Sequence, residues 1–537
     1  MTRVLVFSPF SGIWPHGLSE SQLLSQLEQD EYEFTYVTCG GMFIGHCVVM
    51  ESFRLDHDAP DDRKSNICRL CKKCSLDLHS VHPAERLVLD DFLQPTDIAQ
   101  ASAVVHEVGA QSYLEATFRG IEVGRLSSYE TLIKYKKTST LLTDGEFEYY
   151  KKSLHAACLS VCALERLFSL RTFDRIVLYS PQYSANMMCA ELARRHGIPV
   201  YFLEGSSNIH ERYRAVRVWS WNDFKMVNPA LSYFRDVQHK PVAEDRTRVE
   251  SHFEEIELGR NYSVYSAKSS RPRDIREVHR IGSDKKILLA TLSSYDEAFS
   301  ALVIGGFPVE KFESDVFASQ FDWISALVEW VSTRTAIHLV VRLHPRDLPN
   351  RRDSIVSEQS SRWLQLLERI PSNVSVDHPD QRIPLADYFP AIQAMTTGWS
   401  STAIEAMMKE IPVVTYDQRL PSFPAEIHYS GRTIEEYWMN LEGALSATHS
   451  PQIRERTMEW MSFNFNRGTV RVRGRLFDQT VVQRNRLLYY AVGGCMKFLP
   501  GVSRKIDILV GRKWPVTRDR DRFRNLFRKT AKALYEV

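Results

Sequence analysis

Short runs of β-branched and aromatic residues, each followed by a glycine- or serine-rich loop and a helical stretch, constrain this fold most. The first run, Val4–Phe7, is followed by a helical stretch over residues 19–29 and by Phe34–Thr38. The pattern returns with Arg175–Tyr179 and Val200–Leu203, which flank another helical stretch. Strands that alternate with helices predict βαβ units, and such units form parallel sheets.

A second series of the same kind begins after a charged stretch. Its predicted strands are Lys286–Ala290, His338–Leu343, Val374–Val376, Ala394–Thr396 and Val413–Tyr416, and its clearest helices are Gln320–Thr333 and Ser401–Lys409. Two such series predict an α/β protein with two Rossmann-like, doubly wound domains that face a cleft. We expect an N-terminal domain over 1–240, a linker over 241–284, a C-terminal domain over 285–440 and a helical, basic extension over 441–537.

The positive charge of the chain is concentrated at its C-terminal end. The whole chain has a net charge of +2, whereas Arg467–Val537 holds 18 Lys and Arg against 5 Asp and Glu, a net charge of +13. There Phe523, Leu526 and Phe527 recur at helical spacing, which predicts an amphipathic helix on an anionic membrane; a solvated helix packed on the body is the alternative. We find no nucleic-acid-binding motif, signal peptide or membrane-spanning run, and expect a cytoplasmic protein, peripheral on the membrane at most.

The segment Gly398-Trp-Ser400-Ser401-Thr402 follows a predicted strand and opens a predicted helix. Gly398 permits a tight turn, and the hydroxyl groups lie at a helix N-terminus, where unpaired N–H groups and the helix dipole attract phosphate. Glu405, one turn further on, can reach a ribose or sugar hydroxyl. An ordinary helix cap, with Glu405 completing a capping box, is the alternative.

The strand 338–343 ends in Arg342-Leu-His344-Pro345-Arg346. The carboxyl ends of strands line the ligand crevice of a doubly wound sheet, and Pro345 stops the strand there. The histidine and the two arginines suit a phosphate or diphosphate, whose charge they can neutralise and whose leaving oxygen they can protonate. A strand-end histidine exposed to water beside two solvated arginines is the alternative.

These two segments and the Ile-Pro-Val-Val that follows them resemble bacterial capsule-polysaccharide glycosyltransferases of the GT-B fold. The similarity is greatest to those that use CMP-activated acidic sugars, such as Kdo transferases and bacterial sialyltransferases. It covers residues 286–417 and is looser elsewhere. The resemblance implies that a nucleotide sugar binds in the C-terminal domain, with His344 on its phosphate and Ser400 and Ser401 holding it.

The same resemblance implies a general base in the N-terminal domain, carried by an acidic-acidic-Gly motif. The best match is Leu203-Glu204-Gly205, at the end of a predicted strand, so Glu204 is the expected base. Leu203 stands where the family has its first acidic residue. A glutamate that caps the next turn is the alternative.

Two further loops are expected at the cleft. Ser293 and Ser294 follow the first strand of the C-terminal series and are candidate donor contacts, with a plain turn as the alternative. Gly12, Trp14 and His16 lie in the first glycine loop and are candidates for the acceptor sugar, with an exposed loop around a packed tryptophan as the alternative. Donor and acceptor would then bind on opposite sides of the cleft.

Five of the nine cysteines fall within residues 39–74, which we interpret as an insertion after the second strand. Cys68, Cys71 and Cys74 are expected on one loop, and Cys39 or Cys47 can add a fourth ligand. Clustered cysteines in a reducing compartment indicate a metal, here structural zinc in preference to an iron–sulfur cluster. Unligated, reduced thiols are the alternative.

The sequence therefore predicts a glycosyltransferase that moves a sugar from a nucleotide-activated donor, CMP-Kdo-like or other, to a surface-polysaccharide or lipid-linked acceptor. The transfer step is expected to need no metal, because Asp56-His-Asp58 and Asp519-Arg-Asp521 have the D-x-D spacing but follow no apolar strand. A CDP-glycerol-type polyol-phosphate transferase, a sugar-nucleotide epimerase and a non-catalytic polysaccharide-assembly subunit are the alternatives.

Overall fold

A computed structural model describes residues 1–27, 31–79, 84–212, 214–224, 228–234, 239–259, 271–309, 313–350 and 354–472, with four single residues between 487 and 494. The strands are β1 Thr2–Phe7, β2 Tyr32–Thr38, β3 Glu85–Val88, β4 Arg175–Tyr179, β5 Val200–Gly205, β6 Ala215–Ser220, β7 Lys286–Thr291, β8 Ile337–Arg342, β9 Val374–Asp377, β10 Ala394–Thr397, β11 Val413–Thr415, β12 Tyr429–Ser430 and β13 Thr469–Arg471. The helices are α1 Trp14–Leu24, α2 Val48–Ser52, α3 Asp61–His79, α4 Pro95–Glu107, α5 Val123–Leu126, α6 Tyr129–Lys134, α7 Asp144–Leu170, α8 Ser184–Arg195, α9 Pro229–Phe234, α10 Ala243–Glu257, α11 Ile275–Val278, α12 Tyr295–Val303, α13 Gln320–Ser332, α14 Ser360–Leu366, α15 Thr402–Met408, α16 Ile434–Ser446 and α17 Pro451–Asn466. The predicted amphipathic helix around 523–527 lies outside the described residues.

The first sheet, with the helices packed on it, forms the first lobe. Its strand order is β13-β6-β5-β4-β1-β2-β3. Strands β1 to β5 run parallel, while β6 and β13 each run antiparallel to their neighbours. Leu5 and Phe7 pack into one hydrophobic cluster and Val4 and Val6 into another, so both faces of β1 are covered. Burial on both faces explains why such a strand reads as a continuous apolar run.

The second sheet forms the second lobe, and all of its strands are parallel. Its strand order is β12-β11-β10-β7-β8-β9. Counted from β7, this is the 3-2-1-4-5-6 order of a doubly wound sheet, and β1 to β6 of the first sheet follow the same order. Leu288 and Leu289 lie in different hydrophobic clusters, so both faces of the second sheet are also covered. The predicted fold of two Rossmann-like domains is confirmed.

The chain crosses between the lobes twice, and both crossings correct the predicted domain limits. Helix α10 occupies part of the segment 241–284 that was expected as a linker, and its Arg246 donates a hydrogen bond of 2.9 Å to Glu455 of α17. Helix α17 then leads to β13, where Val470 pairs with Val216 of β6. Residues 469–471 therefore rejoin the first lobe at the free edge of β6, whereas α17 packs on α15 of the second lobe as well as on α9 and α10.

The cysteine run lies on a helix, which corrects the expected loop. Helix α3 buries Ile67, Leu70, Cys74 and Leu78, a spacing that matches one face of a helix. It carries the chain from β2 towards β3, so residues 39–74 belong to the parallel crossover of the first sheet and are not an insertion. Three-residue steps turn a helix by about 300°, so Cys68 and Cys71 are neighbours on the helix surface, whereas Cys74 is turned about 120° away from Cys68.

Among the described residues, one helix is long and apolar enough to cross a membrane, judged by length and composition. This helix is α7, and 72% of its most apolar window is buried inside the structure. Leu154, Val161 and Leu164 are fully buried in the main hydrophobic cluster of the protein. Helix α7 is therefore a core helix of the first lobe.

Candidate functional site

A large cavity lies between the two lobes. Its volume is about 1410 Å³, which exceeds the roughly 300–1,000 Å³ of pockets that hold one small ligand. Ile13, Glu130 and Tyr183 of the first lobe line it, as do Arg342 and Pro345 of the second. Ile13, Tyr183, Arg342 and Pro345 follow or flank the carboxyl ends of strands, where doubly wound sheets bind their ligands, whereas Glu130 lies on α6. The cavity is large enough for two substrates.

The loops after β7 and β10 meet where the strand order of the second sheet reverses. Thr291 at the end of β7 is in register with Arg342 of β8 on one side and with Thr397 of β10 on the other. Neighbouring strands are about 4.8 Å apart, so the ends of β8 and β10 are separated by roughly 10 Å. The two segments that the sequence singled out, around His344 and around Ser400, therefore lie on one edge of the sheet.

Hydrogen bonds join the hydroxyl-rich turns after β7 and β10 into one network. The hydroxyl of Ser293 accepts a hydrogen bond of 3.1 Å from the backbone N–H of Trp399. The Oγ1 atoms of Thr291 and Thr402 are 3.0 Å apart, and the hydroxyl of Thr402 also donates to Ser400 at 2.9 Å. The turn after β10 is thus held in place by the turn after β7.

The other residues of these turns have distinct roles. A Cβ atom on Gly398 would lie 3.2 Å from Cε1 of Tyr416, so only glycine fits there without displacing the ring. Ser294 donates a hydrogen bond of 3.0 Å to Asp296. Ser401 is exposed, and its side chain makes no cap hydrogen bond to α15. Glu405 is the fourth residue of that helix, so the capping-box alternative is excluded.

Glu405 lies half-buried beside the strand-end arginine. Burial raises the pKa of its carboxyl group from 4.5 to about 8, although the charge of Arg342 opposes this rise. At neutral pH the carboxyl group is therefore mostly protonated, and it can donate a hydrogen bond to a ligand.

Arg342 is held rigidly at the cavity wall. Its guanidinium forms an ion pair with the buried Asp377 and donates a hydrogen bond of 2.9 Å to the carbonyl oxygen of Ile383. Asp377 compensates part of the positive charge. The guanidinium presents a fixed direction to the cavity, which is what recognition of a phosphate group requires.

His344 lies behind this wall and is uncharged at neutral pH. Burial lowers its pKa to about 4, and the charges of Arg346 and Arg342 lower it further. Its Nδ1 atom accepts a hydrogen bond of 3.3 Å from the backbone N–H of Arg346, so the ring proton resides on Nε2. His344 can thus donate one hydrogen bond through Nε2, but it does not bring a positive charge.

Arg346 joins the two lobes. Its Nε and Nη2 atoms donate to the same oxygen of the buried Asp296 at 3.0 and 2.5 Å. Nη2 also donates to the carbonyl oxygen of Ile133, in the first lobe, at 3.3 Å. The charge of Arg346 is therefore largely taken up by these contacts, although the residue lines the cavity.

A second set of contacts between the lobes lies beside this brace. The carboxylate of Glu358 accepts hydrogen bonds from the backbone N–H of Thr138 at 2.7 Å and from the hydroxyl of Ser139 at 2.8 Å. It also forms an ion pair of 3.0 Å with Lys137, and Lys136 donates to the carbonyl oxygen of Ile355 at 2.5 Å. Ile355 lines the cavity, so these contacts fix one side of it.

The predicted base, Glu204, lies at the end of β5, in register with Arg217 of β6. Arg217 is buried, and the charge of Glu204 partly offsets the burial that lowers its pKa. Glu204 is not among the described residues that line the cavity. Glu204 therefore has Arg217 as its neighbour within the first sheet and lies away from the described wall of the cavity.

The first glycine loop faces the cavity through a residue that the sequence did not single out. Ile13 lines the cavity, whereas its neighbours Gly12, Trp14 and His16 are not among the described lining residues. His16 is buried and stacks on Tyr179 with the ring centres 4.1 Å apart. Gly12 is also buried, and Trp14 is half-buried against the core.

Glu130 on α6 is a site residue that sequence reasoning missed. Its Oε1 atom accepts hydrogen bonds from the backbone N–H of Ser184 at 2.7 Å and from the hydroxyl of Ser184 at 2.8 Å. Its Oε2 atom is buried, and among the described residues no group forms a hydrogen bond with it. Burial raises the pKa of this carboxyl group from 4.5 to about 7, while Ser184 opposes the rise. A carboxyl group with this pKa on a cavity wall has the properties of a general base.

Asp56, His57 and Asp58 bring their ligand atoms within 4.8 Å of one another at the rim of the cavity. One oxygen of Asp56 already accepts from Nδ1 of His57 at 2.7 Å and from Lys134 at 3.0 Å. These contacts lower the pKa of Asp56 to about 2. A cation at this position would have to compete with the ammonium group of Lys134.

Known protein structures resemble this chain only loosely. No protein-family model matches the chain, and no curated protein matches it. The chain is similar to the solved structure of the KpsC beta-Kdo 2,4 transferase of Thermosulfurimonas dismutans, with 12% identity over 54% of this chain and 79% of that one and a TM-score of 0.32. It is also similar to the UDP-GlcNAc 2-epimerase of Neisseria meningitidis bound to UDP-GlcNAc, with 9% identity, 87% and 96% coverage and a TM-score of 0.31. For a UDP-forming trehalose-phosphate synthase of Burkholderia xenovorans, the identity is 11%, the coverage 91% and 99%, and the TM-score 0.32. At TM-scores this low, none of these similarities indicates the reaction of this chain.

Proposed function

We propose that the chain is a metal-independent glycosyltransferase that binds a nucleotide sugar and an acceptor glycan in the cavity between its lobes. The observation that carries this proposal is the carboxyl group of Glu130. It is buried in the cavity wall, one oxygen is fixed by Ser184, and no described residue binds the other. A general base for an acceptor hydroxyl needs this combination of fixed geometry and a pKa near neutrality.

The second lobe supplies the donor side of the proposal. Arg273, Arg342 and Arg382 line the cavity there. Guanidinium groups bind diphosphates in this way, and their effect grows as negative charge develops on the departing phosphate. The network of Ser293, Ser400 and Thr402 lies on the same sheet edge, where we place the nucleotide.

We infer the following reaction from this arrangement. The acceptor hydroxyl transfers its proton to the carboxylate of Glu130, its oxygen forms a bond with the anomeric carbon of the donor, and the bond from that carbon to the phosphate oxygen breaks. The nucleotide leaves with the bonding electron pair as its phosphate gains negative charge. Arg342, which Asp377 and Ile383 hold in place, stabilises this charge without moving. We also propose that the protein acts in the cytoplasm.

A thermal-shift screen with CMP, CDP, UDP and GDP tests the nucleotide site. A ligand present at 100 times its Kd stabilises the folded state by about 2.7 kcal/mol. We expect one of the four nucleotides to raise Tm. Arg382→Gln should weaken the binding of that nucleotide at least tenfold and so give a smaller rise in Tm. Arg369→Gln is the matched control, because Arg369 is an exposed arginine of the same lobe that is not among the described lining residues. If none of the four nucleotides raises Tm, there is no nucleotide site in this cavity.

Turnover of the bound nucleotide's sugar conjugate then distinguishes the reactions. The proposal requires that nucleotide release depends on an added glycan acceptor. Conversion of the donor without any acceptor indicates an epimerase, and turnover of CDP-glycerol in place of a nucleotide sugar indicates a polyol-phosphate transferase. Either result replaces the proposed function.

A further inference from the structure

Four cysteines surround one small cavity inside the first lobe, which we name the thiol pocket. Its described lining includes Cys39, Cys47, Cys68 and Cys71 together with Lys72. The cavity measures about 20 Å³, and a space of roughly 10–15 Å³ already holds one water molecule. The thiol pocket therefore has room for a single ion and not for a cluster of several iron and sulfur atoms.

The four cysteines come from three separate segments of the crossover between β2 and β3. Cys39 directly follows β2, and Cys47 directly precedes α2. Cys68 and Cys71 lie on α3 about 300° apart around the helix axis, so their side chains are neighbours on one face. The fold thus brings together four thiols from three separate segments of the crossover.

Cys74 does not belong to this set, although the sequence placed it with Cys68 and Cys71. It lies six residues after Cys68, and six residues of helix turn the side chain to a direction about 120° away from that of Cys68. Its thiol donates a hydrogen bond of 3.3 Å to the carbonyl oxygen of Ser11. Cys74 is buried, and it does not line the thiol pocket among the described residues.

Backbone N–H groups donate to two of the four sulfur atoms. Gly12 donates to Cys71 at 3.2 Å, and Gly41 donates to Cys39 at 3.2 Å. A Cβ atom on Gly12 would lie 2.8 Å from the sulfur of Cys71, so glycine is what allows the backbone to approach it. Hydrogen bonds from N–H groups favour the thiolate form that metals bind.

One basic side chain, Lys72, also lines the thiol pocket. Its single positive charge cannot balance four thiolate ligands. A divalent metal ion would supply the missing positive charge.

We propose that the thiol pocket binds one zinc ion through the sulfur atoms of Cys39, Cys47, Cys68 and Cys71. Four thiolates form a tetrahedral structural zinc site, with Zn–S distances of about 2.3 Å and sulfur atoms about 3.8 Å apart. Among the described residues, no three cysteine sulfurs all lie within 4.8 Å of one another. Zinc binding therefore draws the sulfurs together by side-chain rotation, and fastens the loop after β2 to α3.

The zinc content of the full chain, purified from cells grown with added zinc, tests this site by mass spectrometry of metals. We expect one zinc ion per chain in the wild type, and less than a tenth of this in Cys47→Ser and Cys68→Ser. Cys74→Ser and Cys189→Ser are the matched controls, since both residues are buried thiols outside the thiol pocket, and they should keep the zinc. A wild type without zinc, a wild type with iron instead, or loss of zinc from Cys74→Ser overturns the proposal.

Two measurements on the wild type apply even where a serine variant fails to fold. Cobalt(II) added to zinc-free protein should give the absorption bands of a tetrahedral thiolate complex. Zinc should also protect Cys39, Cys47, Cys68 and Cys71 against alkylation, as measured by mass spectrometry. The alkylation of the other cysteines should not depend on zinc. A cobalt spectrum typical of oxygen and nitrogen ligands, or no protection of these four thiols, overturns the proposal.

Discussion

Replacing Glu130 with glutamine distinguishes the effect of this carboxyl group on the stability of the fold from its role as the proposed base. Glutamine has the same shape and can still accept the hydrogen bonds from Ser184, but it carries no charge and cannot take a proton. Since Glu130 is the proposed base, we expect kcat of Glu130→Gln to fall by roughly 10²–10⁴-fold. Nucleotide binding should be unchanged, because Glu130 belongs to the acceptor side.

The effect on stability follows from the pKa. Burial raises the pKa of Glu130 from 4.5 to about 7 in the folded protein. A raised pKa means that the bound proton stabilises the fold fully below pH 4.5 and that this stabilisation is lost as the pH rises through 7. Each tenfold change in proton affinity is worth about 1.4 kcal/mol, so the ionised carboxylate costs about 3 kcal/mol. Relative to the wild type, Glu130→Gln should gain up to this amount at pH 8.5 and nothing at pH 4.

Thermal unfolding of wild type and variant at several pH values measures this difference. For a domain of this size, about 2–4 °C per kcal/mol predicts a rise of roughly 6–12 °C in the Tm of the first lobe at pH 8.5. Glu20→Gln is the matched control. Glu20 is buried, its pKa is raised to about 8 by burial, and it is not among the described residues that line the cavity. It should show a similar gain in Tm without a loss of turnover.

Two results would refute this reasoning. Turnover of Glu130→Gln within tenfold of the wild type would show that another group removes the proton. A difference in Tm that does not vary with pH would show that Glu130 is not the buried, proton-binding carboxyl group that the structure describes.

Three further predictions concern the rest of the site. Glu204→Gln should leave kcat within about threefold of the wild type, as expected for a residue that lies away from the cavity; a larger fall in steady-state assays would restore Glu204 as the base. Arg342→Lys should weaken nucleotide binding by roughly tenfold or more, measured by calorimetry, because lysine cannot hold Asp377 and Ile383 at once; unchanged affinity would place the nucleotide elsewhere. Glu358→Ala should lower the free energy of unfolding by about 1–3 kcal/mol through the unpaired groups of the first lobe, and an unchanged denaturation midpoint would contradict the contact described.

The strands and their loops could be predicted because their signals are local. A strand such as Lys286–Thr291 is buried on both faces and reads as an apolar run, and Gly398 follows a similar run. Parallel pairing then brings the ends of β8 and β10 to one edge without further information. The convergence of the two predicted segments on that edge followed from these rules.

The position of Glu130 could not be predicted in the same way. It lies in the short helix α6, with no strand before it and no motif around it, and its environment is created by Ser184, 54 residues away. The expected loop around Cys68, Cys71 and Cys74 was wrong for a related reason. Whether Cys74 faces the other two cysteines depends on whether the segment is a loop or a helix, and the burial of Ile67 and Leu70 on one helix face decides that only in the folded protein.

The return of the chain to the first sheet has a consequence for how the protein is made. Strand β13 is translated after every strand of the second lobe, yet it completes the edge of a sheet whose first strand leaves the ribosome first. Until residue 471 has emerged, β6 exposes an open edge and the partners of α17 are uncovered. A nascent chain that stops near residue 440 would therefore carry a complete second sheet beside an unfinished first one. For the same reason, a single truncation does not separate the chain into two complete lobes.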